Sequence, residues 1–299
     1  MTELLHCRGC FVTWTRMSEP EFPWQQRRAA LIVAHPGHEL RVHHWLETRR
    51  PLYFCLTDGS GSAGKSRMDS TSKLLRQTGA TPGRIFGRFT DREVYRLLLD
   101  GRCEVFAKLL AELAESLIDH DIAVVAGDAP EGLSPTHDLC RYLIDAAVSA
   151  VKLTTGHGMA NYEFVLDSPP NDCPPNLRSE AIWLQLDEAA LDRKLQAALD
   201  YSELRGEAEE GLKYYGKDAF ALECLRPPTT AAALLRFERE APAYEHCGRE
   251  GVERFGKSFG RYEEVITFQS HLKPMIQAIN EAASEFVPTS NRNEPANAR

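Results

Sequence analysis

Short apolar runs alternate with longer stretches in which apolar side chains recur every three or four positions, and this alternation fills the chain to about residue 170. Residues 29–34 (AALIVA) form an apolar run of β-forming type, with arginines before it and His-Pro-Gly after it, which predicts a buried strand. Leu40, Val42, Trp45 and Leu46 suit a short helix, and residues 51–57 (PLYFCLT) predict a second buried strand. A Gly/Ser loop (DGSGSAG, 58–64) leads to a helix over 66–78 that stops at Gly79, and 84–89 suits a short strand. Between Asp91 and Asp119, Val94, Leu97, Leu98, Val105, Phe106, Leu109, Leu110, Leu113 and Leu117 trace two amphipathic helices divided near Gly101. A strand over 122–126, the polar loop GDAPEGLSPT, a helix over 138–151 and a strand over 162–166 complete the series. The proline-rich segment 168–178 reads as a junction, followed by helices over 187–201 and about 231–239 and a strand-like piece over 264–268.

Strands separated by helices at this spacing predict an α/β fold: a Rossmann-like, mostly parallel sheet with helices on both faces, plus a smaller, mainly helical C-terminal part. The chain divides into an N-terminal extension (1–25), a Rossmann-like core (26–170), a C-terminal part (171–287) that either faces substrate or continues the core, and a polar tail (288–299) expected to be disordered. Hydrophobic residues at 43% and charged residues at 26% are ordinary for a globular chain. A formal charge of −8 offers no basic field for nucleic acid, so a neutral or cationic small molecule is the expected partner. No signal peptide and no run long enough to span a bilayer is evident, which predicts a cytoplasmic protein without membrane attachment; homo-oligomerisation stays open. The eight cysteines are scattered and read as buried thiols, and the lone Cys7–Cys10 CxxC lacks the second pair of a zinc site.

Two clusters carry candidate chemistry. In AHPGHE (34–39), His35 leaves the carboxyl end of the first strand, Pro36 and Gly37 turn the chain, and His38 opens the next helix. In SPTHD (134–138), His137 stands at the mouth of another helix after a later strand. Parallel sheets bind ligands beyond the carboxyl ends of their strands, so the three imidazoles have reason to meet there. Three neutral imidazoles suit Zn²⁺ or another borderline divalent metal and leave a coordination position open, as hydrolysis of an amide or ester requires. Helix capping by the same histidines is the plainer alternative.

The motifs resemble those of the LmbE-like or PIG-L-like N-deacetylases. AHPGHE stands where that family has AHPDDE, SPTH where it has HPDH, and LTDGSG follows the second strand. The resemblance covers slightly more than half the chain, with LKYYGKDAFALECLRP and RYEEVITFQSHLKP as looser C-terminal echoes. It implies a zinc-dependent removal of an N-acyl group, acetyl in the family, from an amino sugar or related small molecule. By position it places metal ligands on His35, His38 and His137, with His38 in place of an aspartate. It also places the family's general base on Gly37, which has no side chain, and the first histidine of HPDH on Ser134.

Another group must then accept the proton. Glu39 is the first candidate, with Asp128 and Glu131 as rivals in the loop before His137, and His271 as a candidate for acid catalysis or oxyanion stabilisation. Acids are favoured in the first turn of a helix in any case, so Glu39 has a structural alternative. Asp58 reads as a turn aspartate, and His43 and His44 as packing residues. DGSGSAGK lacks P-loop spacing, and no GxGxxG follows the first strand. The alternative function is a non-catalytic metal- or sugar-binding relative that has lost its base at Gly37. A nucleotide-sugar transferase on a similar sheet is a third reading.

Overall fold

The computed structural model describes residues 27–61, 64–255 and 264–289. The 1–25 extension with Cys7 and Cys10, and the tail from 290 onward, lie outside the described residues. Strands β1 (Arg28–Val33), β2 (Leu52–Thr57), β3 (Thr81–Phe89), β4 (Ile122–Asp128) and β5 (Ala160–Phe164) form one sheet in the order β3-β2-β1-β4-β5, with every neighbouring pair parallel. The order reverses at β1, which places a crevice above the carboxyl ends of β1 and β4.

Side chains along β1 alternate between the two faces, and both faces are covered, so the strand reads as a continuous apolar run. Ala30, Ile32 and Ala34 join the larger core beneath α3 (Asp91–Leu99), α4 (Cys103–Asp119) and α5 (Pro135–Thr155). Ala29, Leu31 and Val33 join a second core with Trp45 and Leu46 of α1 (His43–Arg49) and Leu74 and Leu75 of α2 (Met68–Thr78). Gly79 ends α2 in the left-handed conformation, as the sequence predicts. Gly101 separates α3 from α4.

Beyond β5, a two-stranded antiparallel sheet pairs β6 (Ile182–Gln185) with β7 (Leu222–Leu225). A single bridge between Glu163 and Arg226 ties it to the edge of the main sheet. Between its strands lie α6 (Glu188–Asp200) and α7 (Arg205–Tyr215); α8 (Thr230–Arg239), α9 (Ala243–Phe255) and α10 (Lys273–Ser284) follow. Helix α10 packs on α4 and α5, whereas α6 packs on α1.

The strand expected over 264–268 does not form. Ile266 and Phe268 are buried as an alternating pattern requires, but their amides bond to the Tyr95 hydroxyl and the Glu245 carboxylate instead of a neighbouring strand. Thr267 then caps a π-helical turn (Phe268–Leu272) that runs into α10. The six described cysteines are free thiols. No helix among the described residues is long and apolar enough to cross a membrane.

Candidate functional site

The carboxyl end of each of the first four strands delivers a polar residue to one place. After β1, the turn through Gly37 reverses the chain so that His35 and His38 face the crevice. Gly37 adopts φ 107°, which side chains strongly disfavour, and a Cβ there would stand 2.2 Å from Leu204 Cδ1. Thr57 ends β2. After β3, Thr90 caps α3 in a capping box with Glu93 and sets Asp91 on its first turn. Asp128 ends β4, and Pro135 at the start of α5 aims His137 inward from the first turn.

His35, His38 and His137 come together as a triangle, with ring centres 5.2, 4.8 and 4.6 Å apart and the planes edge to face. The Nδ1 atom of His35 lies 2.8 Å from Asp91 Oδ1 and 2.7 Å from Thr57 Oγ1. His38 Nδ1 lies 2.9 Å from Asp128 Oδ2, which also accepts from the Ala34 amide at 2.8 Å. A carboxylate on Nδ1 fixes an imidazole's tautomer, with the proton on Nδ1 and the lone pair of Nε2 left free, the pattern of histidine ligands. Burial lowers the His35 pKa despite the neighbouring Asp91, and burial with two neighbouring imidazoles drives that of His137 well down. Burial opposes ionisation of Asp91, but His35, Thr57 and the Gly61 amide outweigh it and hold the carboxyl well below its ordinary range. The hydrogen bond at His35 Nδ1 is made with the Thr57 hydroxyl, and Asp91 Oδ1 lies 2.8 Å away as an ion-pair neighbour without a hydrogen bond of its own among the described residues.

The donor set fits a borderline divalent cation in kind. Three imidazoles sharing an ion at about 2.0–2.1 Å would hold their ring centres about 5 Å apart, close to the separations seen. Asp128 Oδ1 is buried beneath the triangle without a hydrogen-bond partner among the described residues, an acceptor that a positive centre would offset. In their present positions, no group of three or more His, Cys, Asp or Glu side chains among the described residues is disposed to hold an ion, so the rings would have to turn to converge.

The triangle forms part of the wall of an open cavity of about 620 Å³, to which Arg41, Arg67, Asp91, Tyr95, Asp167 and Glu207 also contribute. No protein-family model matches the chain. No curated protein matches it either. Among solved structures it is similar to the antimicrobial reagent A40926 pseudoaglycone deacetylase Dbv21, with TM-score 0.46 and 18% identity over 68% of this chain and 97% of that one. It is also similar to the conserved protein TT1542 from Thermus thermophilus, with TM-score 0.44 and 16% identity over 68% of this chain and 95% of that one. At that similarity neither neighbour assigns chemistry to this chain.

The other expected site residues separate. Glu39 is fully buried and accepts from the Gly37 amide (2.8 Å), the Tyr53 hydroxyl (2.9 Å) and the Thr71 hydroxyl (2.6 Å). It braces the turn and is absent from the cavity wall, so its placement does not suit it to take a proton from a reacting group there. Glu131 accepts from the amides of Leu166, Asp167 and Ser168 and so fixes the loop after β5, outside the cavity wall. His271 Nδ1 accepts from the Thr267 amide at the turn before α10 and likewise does not line the cavity. Asp128 alone of the four touches the histidine triangle, through His38. Ser134 lies on the wall.

Sequence reasoning missed Asp91, Arg41, Arg67 and Leu204. A signal for Asp91 existed: it follows a predicted strand at the same sheet edge as the histidines. Arg41 is held by the carbonyls of Val165, Leu166 and Ser168, contacts more than 120 residues away in sequence that no local pattern announces.

Proposed function

We propose that this protein is a metal-dependent hydrolase that removes an N-acyl group, acetyl in the first instance, from an amino sugar or related small molecule in the cytoplasm. The observation that carries the reading is the triangle of three imidazoles, two of them with a carboxylate oxygen within 3 Å of Nδ1, at the switch point of a parallel sheet. The likeness of AHPGHE and SPTH to the N-deacetylase motifs supports the same reaction.

His35, His38 and His137 would hold the cation, zinc by donor type, while Asp91 and Asp128 keep the first two rings oriented. When bound, such an ion polarises an acyl carbonyl and acidifies water near neutral pH. In the hydrolysis, water oxygen adds to the carbonyl carbon, the C–N bond breaks and the amine leaves with a proton. Arg67 lines the cavity and supplies donors for the hydroxyl and carbonyl groups of a polar substrate, while Arg41, with Nε and Nη2 taken by carbonyls of the loop after β5, fixes that part of the wall. With Glu39 enclosed, the carboxylates left on the wall besides Asp91 are Asp167 and Glu207, and these are the groups available to take and return the proton. Leu204 and Glu207 belong to the C-terminal part, which supports a substrate-facing role for that part of 171–287.

The second reading, a metal- or sugar-binding protein without turnover, is favoured by one observation: Leu204 fills the space beside Gly37 where the family's base would stand. Incubating zinc-loaded protein with a panel of N-acetylated amino sugars and measuring free amine separates the two. Turnover that falls in an Asp167→Asn or Glu207→Gln variant supports the hydrolase. Binding of the same sugars with no amine released refutes it in favour of the binding protein.

A further inference from the structure

A second cavity, of about 370 Å³, opens beside the first and shares with it Gly37, Arg41, Leu166, Asp167, Leu204 and Glu207. Its remaining wall is largely apolar and comes from α6, α7 and the segment after α7, including Ala198, Ala208, Leu212 and Phe220. Two cations reach this wall, and both are engaged. Lys194 bonds to Glu223 and to the Arg41 carbonyl, and Arg41 is bound to carbonyls of the loop after β5.

Helix α7 makes this chamber unusual. Leu204, Ala208, Leu212 and Tyr215 recur at the spacing of one helix face, and all four line the cavity. None of the residues of α7 is buried. A helix is ordinarily held in place by burying its apolar stripe, because propensity alone leaves an 11-residue helix marginal. Here the stripe faces a space continuous with the histidine triangle, with Leu204 at the junction.

We propose that this chamber is a subsite for an apolar chain of the substrate, an aliphatic or aromatic group attached close to the bond at the histidine centre. The volume lies within the range of small-molecule sites. Its continuity with the triangle through Leu204 identifies the occupant as part of the reacting molecule and not a protein partner. The proposal rests on the hydrolase reading only for where the reacting bond lies; the affinity of the chamber for a chain does not depend on catalysis.

The test is calorimetric binding of N-acetylglucosamine, N-hexanoylglucosamine and the hexyl glycoside of N-acetylglucosamine to the full chain, to Gly211→Leu and to His137→Ala. Gly211 has an ordinary backbone conformation, and a Cβ there meets only Phe220 Cζ at 3.7 Å, so the leucine fills the chamber without straining the helix. Affinity is expected to rise about fourfold for each methylene that enters the chamber, giving a gain well above tenfold for at least one hexyl probe. Gly211→Leu should abolish that gain and leave N-acetylglucosamine binding unchanged. A gain confined to the N-hexanoyl probe assigns the chamber to the acyl side, and one confined to the glycoside assigns it to the amine side. Persistence of the gain in His137→Ala, in protein that hydrolyses nothing, keeps the subsite even if the hydrolase reading fails. Absence of chain-length dependence, or dependence that survives Gly211→Leu, overturns the proposal. So does sedimentation showing a dimer that Gly211→Leu dissociates, with no chain effect, since α7 would then be an interface between copies.

Discussion

Substituting Gly37 perturbs the feature that separates this chain most sharply from the N-deacetylase motif. A Cβ at Gly37 would sit 2.2 Å from Leu204 Cδ1, and the backbone holds φ 107°. Overpacking costs about 1–3 kcal/mol, and forcing a side chain into a sparsely populated conformation costs about 1–3 kcal/mol more. Gly37→Ala should therefore destabilise the fold by roughly 2–6 kcal/mol, read as a lowered midpoint in urea at constant slope. The steric share can be isolated with Leu204→Ala. The residue is only partly buried, so its own truncation should cost less than the roughly 2–5 kcal/mol of a core leucine. In the double variant the clash is gone and only the conformational strain remains, so the coupling between the two positions should reach about 1–3 kcal/mol. The same background gives Gly37→Asp room for the missing carboxylate, and its rate of amine release should exceed that of Leu204→Ala alone. Additive stabilities, or Gly37→Ala as stable as the parent, would refute the argument that Leu204 excludes a side chain here.

Three further outcomes follow from the site. Asp91→Asn should weaken metal affinity about 10- to 100-fold without altering the circular dichroism, because it removes the carboxylate that orients His35. Glu39→Ala should lower stability by about 2–5 kcal/mol by leaving buried donors on Gly37, Tyr53 and Thr71 unmatched; a rate loss at unchanged stability would return Glu39 to the chemistry. Asp138 is buried, with one oxygen on the Gly132 amide, and burial raises its pKa from 3.8 to about 7. The unfolded chain releases this proton near pH 4 and the folded protein near 7, so the folded state binds more protons between them and stability falls as pH rises through that window. The loss is on the order of 4 kcal/mol, and metal-free Asp138→Asn should show none of it in urea unfolding between about pH 4 and 8.

The parallel sheet was legible because each central strand is buried on both faces and therefore stands out as a short, unbroken apolar run, as at AALIVA and PLYFCLT. The helix punctuation was legible for a different reason: Gly79 and Gly101 mark the ends of apolar patterns with a conformation that few other residues adopt. The meeting of His35, His38 and His137 could be anticipated because parallel strands deliver their carboxyl ends to one edge. What escaped notice depends on distant partners. β6 and β7 are only four residues long, each with a single polar residue, and they pair across 36 or more residues. The run near Ile266 has the alternation of a strand, yet side chains and a helical cap take up its amides. Glu39 illustrates the limit most clearly. Adjacency to His38 suggested chemistry, but in this tight turn the Glu39 side chain points away from the cavity, into the bonds that hold the turn.

The central claim is that the three histidines hold a metal, and metal content measured by elemental mass spectrometry tests it most directly. Purified parent protein, supplied with zinc and dialysed, should carry about one equivalent, and folded His35→Ala and His137→Ala variants should each lose it. A parent chain that takes up no zinc, manganese or iron, or variants that keep a full equivalent, would contradict the account.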